Sequence, residues 1–304
     1  MKIVVLGSAA GGGFPQWNSN GRGCRSARAG VSSATPRTQT SLAVSQDGDQ
    51  WFLINASPDL REQIGRSPFL HPRQLGNEGG QRDSPIAGVV LTGGDVDVIA
   101  GLLTLRERHP FTLYATQRIL SVLDENPIFE VLNRQVVARR AVALDELVTL
   151  DDSLTVELFA VPGKTPLYLE TDDAPEITTD GVTVGAAITD GVSTVLFIPG
   201  CAVMTASLSA RIQTARLILF DGTLWTDDEM IVQGVGAKTG RRMGHMSLSG
   251  PEGTLAALAG LDGPDKVLVH INNTNPVLLD DSPERAEVER MGWTVAHDGL
   301  EIVV

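Results

Sequence analysis

Residues 86–106 read IAGVVLTGGDVDVIAGLLTLR, and this stretch decides how the chain folds. Ile86, Val89, Val90 and Leu91 form a short apolar run of the kind a buried strand presents. Ile99, Leu102, Leu103 and Leu105 then recur at helical spacing. The turn between them, TGGDVDV, sets Asp95 and Asp97 two residues apart where the strand gives way to the helix. Carboxylates so placed suit a cation. They equally suit the first N–H groups of the helix, which lack partners in the chain and carry the positive end of its dipole. Strand-rich segments interrupted by helices recur throughout, so composition and pattern alone predict an α/β or α+β architecture.

A chain of 304 residues suits one large domain or two small ones. With neither a linker nor a usable repeat in the sequence, a single domain over 1–304 is expected. The 42% apolar fraction supports a substantial core. A formal charge of −13 and a pI of about 4.8 argue against nucleic acid and anionic membranes as main partners. Apolar runs all fall short of the ~20 residues of a membrane span. The N-terminus enters a strand over Lys2–Leu6 without a signal-peptide pattern. Cys24 and Cys201 are too few and too far apart to suggest a disulfide framework. A soluble cytoplasmic protein is expected.

Outward from the central stretch, KIVVLGSAAGGG runs from a strand into glycines. Phe14-Pro15 follows where a phosphate loop would need Gly-Lys-Ser/Thr. Residues 14–37 are polar, small and basic without a period, which predicts a long loop. Thr38–Val44 and Trp51–Ile54 read as a hairpin about Gln46–Asp49. Ser57 with Pro58 marks a helix start, and the Pro/Gly/Asn-rich 66–85 predicts a loop over the site face. Phe111–Ala115 is a strand, Thr116 caps a helix through about Leu123, and Pro127 opens another. Beyond LTVELFAVPG comes PGKTP at 162–166, then an acidic loop at 171–180. A hairpin of Val182–Ala187 and Ser193–Ile198 ends in PGCA. Leu217–Phe220 delivers Asp221 to a strand end, the kind of place where site residues converge. His245 precedes a helix through Leu258, and the strand 266–270 ends on His270. Ser282-Pro283-Glu284 starts the last helix, and TVAHDGLEIVV closes as a hairpin with His297 in its turn. His71 and His109, each before a proline, receive no role.

The central turn resembles the metal loop of the metallo-β-lactamase superfamily, T-H-x-H-x-D-H followed by x-x-G-L. Thr92, Asp97, Gly101 and Leu102 match, whereas Gly93, Asp95 and Val98 stand where histidines would be. PGKTP resembles that superfamily's G-H-T-P turn, with Lys164 in place of a ligand histidine, and Cys201 stands where many members have a metal-bridging aspartate. MGH and LVHINN resemble the last two histidine positions of the phosphodiesterase-type branch, at His245 and His270. The longer phrases GSAAGGGFPQWN, PRTQTS, NASPDLR, FIPGCA, FDGT, GAKTG, VHINNTNP and GWTVAHDGL are similar, over nearly the whole chain, to the coenzyme PQQ synthesis protein B family.

This resemblance implies an αββα sandwich, two mixed sheets face to face with helices outside. It also implies a role in making pyrroloquinoline quinone (PQQ), a bacterial redox cofactor built from a glutamate and a tyrosine of a precursor peptide. One reading is iron- and oxygen-dependent hydroxylation of the tyrosine ring of the processed precursor. Another is a non-catalytic carrier that assists transport of PQQ or its precursor to the periplasm. Metal-dependent hydrolysis is weakened by the lost histidines, which would lower the pKa of bound water. At the matching positions at most one metal, weakly held, is expected. Asp97, His245 and His270 are its ligands and the catalytic centre, with Asp95 or Asp221 behind them; two histidines and a carboxylate with open positions suit Fe(II). Lys164, Lys238 within 236–240, Asn272 and Asn273 are expected to bind the substrate's carboxylates and ring edges. Alternatively, Lys164 is a surface turn lysine and the asparagines only close the turn after the strand. The family's three-cysteine zinc knuckle is reduced here to Ser19, Gly21 and Cys24, so no structural zinc is expected. The expected partners are PQQ or its precursor and other proteins of PQQ biosynthesis.

Overall fold

Alternation along single strands shows how the molecule is layered. In the strand Leu217–Asp221, Leu217 and Leu219 join one apolar cluster while Ile218 and Phe220 join another, as the two-residue period of a strand requires. A strand buried on both faces belongs to the middle of a layered fold. The computed structural model describes residues 1–73, 82–169 and 177–304. Its strands are β1 (Lys2–Gly7), β2 (Ser41–Ser45), β3 (Trp51–Ile54), β4 (Ile86–Val90), β5 (Phe111–Ala115), β6 (Val137–Ala141), β7 (Leu147–Thr149), β8 (Thr155–Ala160), β9 (Val184–Thr189), β10 (Thr194–Ile198), β11 (Leu217–Asp221), β12 (Asp265–Val269), β13 (Trp293–Val295) and β14 (Leu300–Val303).

Among the described residues they form two seven-stranded sheets, ordered β14-β1-β2-β3-β4-β5-β6 and β13-β12-β11-β10-β9-β8-β7. Both are mixed. Pairing is antiparallel from β14 to β3 and parallel from β3 to β6. In the second sheet it is antiparallel from β7 to β10 and parallel from β10 to β13. Parallel neighbours need crossover connections, and these carry the helices Leu60–Arg66, Gln117–Glu125, Ala206–Gln213 and Pro283–Arg290. Val44, Leu53 and Val90 of the first sheet share an apolar cluster with Val156, Phe197, Leu219 and Val269 of the second. The outer face of the second sheet packs Ile218, Phe220 and Leu268 with Leu208, Ile212 and Val288 of its helices. This is the expected αββα arrangement. None of the described helices is long and apolar enough to cross a membrane.

Several local expectations are corrected. Residues 14–37 contain a helix, Arg22–Arg28, whose buried stripe is only Cys24 and Ala27, too small to register as a period. Ser57 does not cap the next helix, which starts at Leu60 after Asp59; the Ser57 hydroxyl instead donates to Gln63 Oε1 at 3.3 Å. The Asp59 carboxylate accepts from the N–H and the side-chain amide of Gln39, and so is committed to a neighbouring segment. After His245 the chain stays irregular until the short helix Thr254–Ala257. The closing segment is no hairpin, since β13 lies parallel to β12 and β14 antiparallel to β1 in the other sheet. Thr116 does cap its helix, accepting from the N–H of Ile119 at 3.3 Å. In the central stretch, Val96–Ile99 is α-helical and Ala100–Leu105 tightens to a 3₁₀-helix. Parts of the expected 66–85 and 171–180 loops, at 74–81 and 171–176, lie outside the described residues.

Candidate metal centre

Parallel strands β4, β11 and β12 end on the same side of the molecule, and the loops beyond them meet there. β11 delivers Asp221, fully buried. One carboxylate oxygen accepts from the Cys201 N–H at 3.0 Å and lies 2.7 Å from His245 Nδ1. The other accepts from the N–H and hydroxyl of Thr223 at 3.0 and 2.6 Å. Just past β12, His270 adopts a left-handed backbone (φ 55°), and its N–H donates to Thr40 Oγ1 at 3.1 Å.

The hydroxyl of Thr223 is the centre of this arrangement. Besides Asp221 it meets His245 Nδ1 at 3.1 Å, His270 Nδ1 at 2.9 Å and the His270 carbonyl at 3.0 Å. A hydroxyl has one proton and two lone pairs. With that proton given to the carboxylate at the shortest of these distances, it accepts from imidazole N–H groups. Both histidines are therefore protonated on Nδ1, which leaves Nε2 as the atom each can offer. The rings stack with centroids 5.3 Å apart.

His270 Nε2 lies 2.9 Å from Asp97 Oδ2, delivered by the central stretch after β4. Burial alone would push the imidazole down, but the hydrogen bond and charge of Asp97, with Asp221 and Asp95 behind, hold it above its ordinary value. Burial likewise works against the Asp97 carboxylate, and His270 overcomes it, so Asp97 sits below its ordinary range. The two form an ion pair through the Nε2 proton, and would become a ligand pair were a cation to take that proton's place.

A cavity of about 610 Å³ opens over this cluster. Asp95, Asp97, Val98, Lys164, Lys238, His245, His270 and Asn272 line it, together with Gln16, Met230 and Met243. The stem of Lys164 lies over Gly244 (φ 86°), where a Cβ would approach Lys164 Cγ to 3.2 Å. Gly93 and Val98, standing at histidine positions of the motif, are neighbours across the cavity wall. Asn273 turns away: its amide donates to Gln16 Oε1 at 2.5 Å, and its carbonyl accepts from the Cys24 thiol at 3.4 Å. Cys24 is thus buried against Asn273, and the hydroxyl of Ser19 accepts from the N–H of Gly21. The Cys201 thiol donates to the Val203 carbonyl and is pushed up to about 12 by burial, so only its backbone serves the site.

Asp221, His245 and His270 each bring a donor atom within 4.8 Å of the others, which is a possible metal site. The Thr223 hydroxyl stands among them on the Nδ1 side, and Asp97 adds a carboxylate on the Nε2 side of His270. Sequence reasoning passed over Thr223, Thr40, Gln16 and the two methionines. Thr223 carried a signal, for it follows Asp221 by two residues at a strand end, and side chains so spaced share a side.

A family model described as the beta-lactamase superfamily domain matches residues 50–271. Coenzyme PQQ synthesis protein B of Gluconacetobacter diazotrophicus is 58% identical over 99% of this chain and 98% of its own. The protein of that name from Ruegeria pomeroyi is 54% identical over the whole of both chains. The crystal structure of Zn²⁺-bound PqqB from Methylobacterium extorquens matches with a TM-score of 0.96 at 53% identity, covering 100% of both chains. On full-length identity and fold together, the chain belongs to the coenzyme PQQ synthesis protein B family of the β-lactamase superfamily.

Proposed function

We infer that this chain acts in PQQ biosynthesis and hydroxylates the tyrosine ring of the processed Glu-Tyr precursor at a single iron(II) with oxygen. The observation that carries the reading is the donor set: Asp221 and the two stacked imidazoles of His245 and His270 bring donor atoms within 4.8 Å of one another, and Asp97 lies 2.9 Å from His270 Nε2. Asp97, His245 and His270 would hold the metal, and Asp221 and Thr223 would grip the opposite edges of the rings. Carboxylates and hydroxyls behind ligand histidines fix the tautomer and raise ligand basicity. A metal on the Asp221 side would have to displace the Thr223 hydroxyl from all its partners, which favours the Asp97 side. Iron(II) held by two imidazoles and a carboxylate would supply the redox chemistry that the hydroxylation needs.

The chain's own residues bind and orient. Lys164 and Lys238 are cations on the wall of an acidic protein's cavity, suited to the carboxylates of the precursor. Asn272 is held by its amide on the Thr274 hydroxyl at 2.6 Å, and its carbonyl is turned to the amide of Asn273. Met230 and Met243 give polarizable apolar surface for an aromatic ring. Where metallohydrolases place histidines, Gly93 and Val98 leave apolar wall, which argues against activating water for hydrolysis.

Titration of metal-free protein with iron(II) under argon, followed by oxygen uptake with the precursor, tests this. One equivalent bound and precursor-dependent uptake are expected. Two tight equivalents, or one equivalent without uptake, overturn the hydroxylase. The carrier reading is favoured by one observation: a lysine in the place of a ligand histidine. No metal bound with PQQ affinity retained would establish it.

A further inference from the structure

Charge is unevenly placed along this acidic chain. No Asp or Glu occurs before Asp47, whereas that stretch carries Lys2, Arg22, Arg25, Arg28 and Arg37. Arg37 is buried, and Lys2 pairs with Glu301 at 2.9 Å. The other three sit on the helix Arg22–Arg28, whose opposite side buries Cys24 and Ala27. All three are exposed. Arg25 and Arg28 donate to the main-chain carbonyls of Asn20, Ser19 and Gln16, so their side chains are ordered by neutral groups. Among the described residues no carboxylate pairs with Arg22, Arg25 or Arg28.

An apolar surface adjoins them. Trp17, on the loop the arginines brace, is 85% exposed. Gly21 approaches Gln233, whose amide donates to the Thr274 carbonyl at 2.9 Å, so the basic helix lies beside the 229–235 segment. That segment exposes Val232 and Val235. Gln16 on one side and Met230, Gly236 and Lys238 on the other also line the cavity, so the surface forms part of its rim.

We propose that the face formed by Trp17, Arg22, Arg25, Arg28, Val232 and Val235 docks an acidic polypeptide segment bearing an apolar side chain, seated at the rim of the cavity. Three cations at helical spacing reach over about 9 Å of helix, the span of a few extended residues. The exposed indole and valines supply an apolar anchor beside the charges, the combination that polypeptide interfaces use. Nucleic acid or an anionic membrane would extend past this face and meet the remaining surface of a protein of net charge −13. The proposal does not depend on which chemistry the cavity performs.

A fluorescein-labelled peptide of Glu-Glu-Leu repeats, followed by anisotropy against the full chain, tests it. Binding is expected to weaken with salt and to disappear when Gln replaces Glu in the peptide. Arg22→Glu with Arg25→Glu should weaken it at least about tenfold, and Trp17→Ala severalfold, with the melting temperature and iron(II) stoichiometry unchanged. No binding, or binding indifferent to the charge reversal, overturns the proposal. So does equal affinity for a duplex oligonucleotide or for phosphatidylglycerol vesicles. Self-association in sedimentation that the same reversal abolishes would assign the face to a second copy and overturn it as well.

Discussion

Thr223 joins the candidate centre at its middle, because one hydroxyl meets Asp221 and both imidazoles. Valine matches threonine in shape and removes that hydroxyl. Thr223→Val should lower iron(II) or zinc affinity by about 10–100-fold, the usual effect of losing a group that orients a metal ligand. Metal titration with a thermal melt as the fold control measures it. A rise in affinity would mean that the metal sits on the Asp221 side, in the space the hydroxyl vacates. Val98 offers the complementary change: it lines the cavity where the motif has histidine, so Val98→His should tighten the metal at least about tenfold. On the substrate side, Lys164→Ala should weaken PQQ binding by about 1–3 kcal/mol, read by calorimetric titration, and unchanged affinity would remove Lys164 from the site. Asp97, Asp221, His245 and His270 were legible as site candidates because each lies within a recognisable phrase, Asp97 at a helix start, Asp221 and His270 at strand ends, and His245 in an irregular turn. The direction of Asn273 was not, since its partners Gln16 and Cys24 lie some 250 positions away.

Elements here are placed by close backbone approach as much as by propensity. Gly101 begins the second turn of the central helical segment, and its N–H donates to the Ala56 carbonyl at 2.8 Å. A Cβ there would lie 2.1 Å from the Ser57 carbonyl and 2.7 Å from that of Ala56, both main-chain atoms that cannot swing aside. Gly101→Ala should therefore destabilise by at least the 1–3 kcal/mol of an overpacked core, and shift Asp97 with its helix; denaturant unfolding measures the first and metal affinity the second. The motif marked this glycine, but only the structure shows what it passes. Glu229 begins the short helix Glu229–Val232, and its Oε1 has no hydrogen-bond partner. Burial lifts its carboxyl above 4.5, against the pull of Thr274 and the N–H of Trp225. A raised folded-state value favours the protonated form, so the stability Glu229 gives is complete below its unfolded value of 4.5 and is lost as pH rises through the raised one. Glu229→Gln cannot ionise. Its melting temperature relative to the parent should climb as pH rises above 4.5, and a flat difference would mean that burial exacts no penalty on the charged form. The helix Arg22–Arg28 escaped sequence reading for the opposite reason: it is short, basic and seated on two small side chains.

At the scale of the whole molecule, the strands and their partners within each half were visible as apolar runs with turn residues between them. Which sheet the last strands join was not. Trp293–Val295 and Leu300–Val303 look like a hairpin because local pattern carries no information about which sheet a strand joins, and each finds a partner already edged by a parallel or antiparallel neighbour. The consequence is that the chain returns at its end from the second sheet to the first. The amino group of Met1 adds to that tie, meeting Asp190 at the β9–β10 turn at 3.1 Å and the Val304 carbonyl at 2.5 Å. We read 1–304 as one domain, and the two sheets as unable to unfold separately. Trp51 on β3 and Trp293 on β13 are both buried, so each reports its own sheet. In variants keeping Trp51 or Trp293 as the sole one of the chain's four tryptophans, removal of residues 300–304 deletes β14, which among the described residues pairs only with β1 of the first sheet. A cooperative domain spreads that loss: the urea midpoints seen by Trp51 and by Trp293 should fall together, because coincident probes are the mark of an all-or-none transition. A Trp293 midpoint left in place while that of Trp51 drops would split the chain into two units, with the candidate metal centre lying on the seam between them.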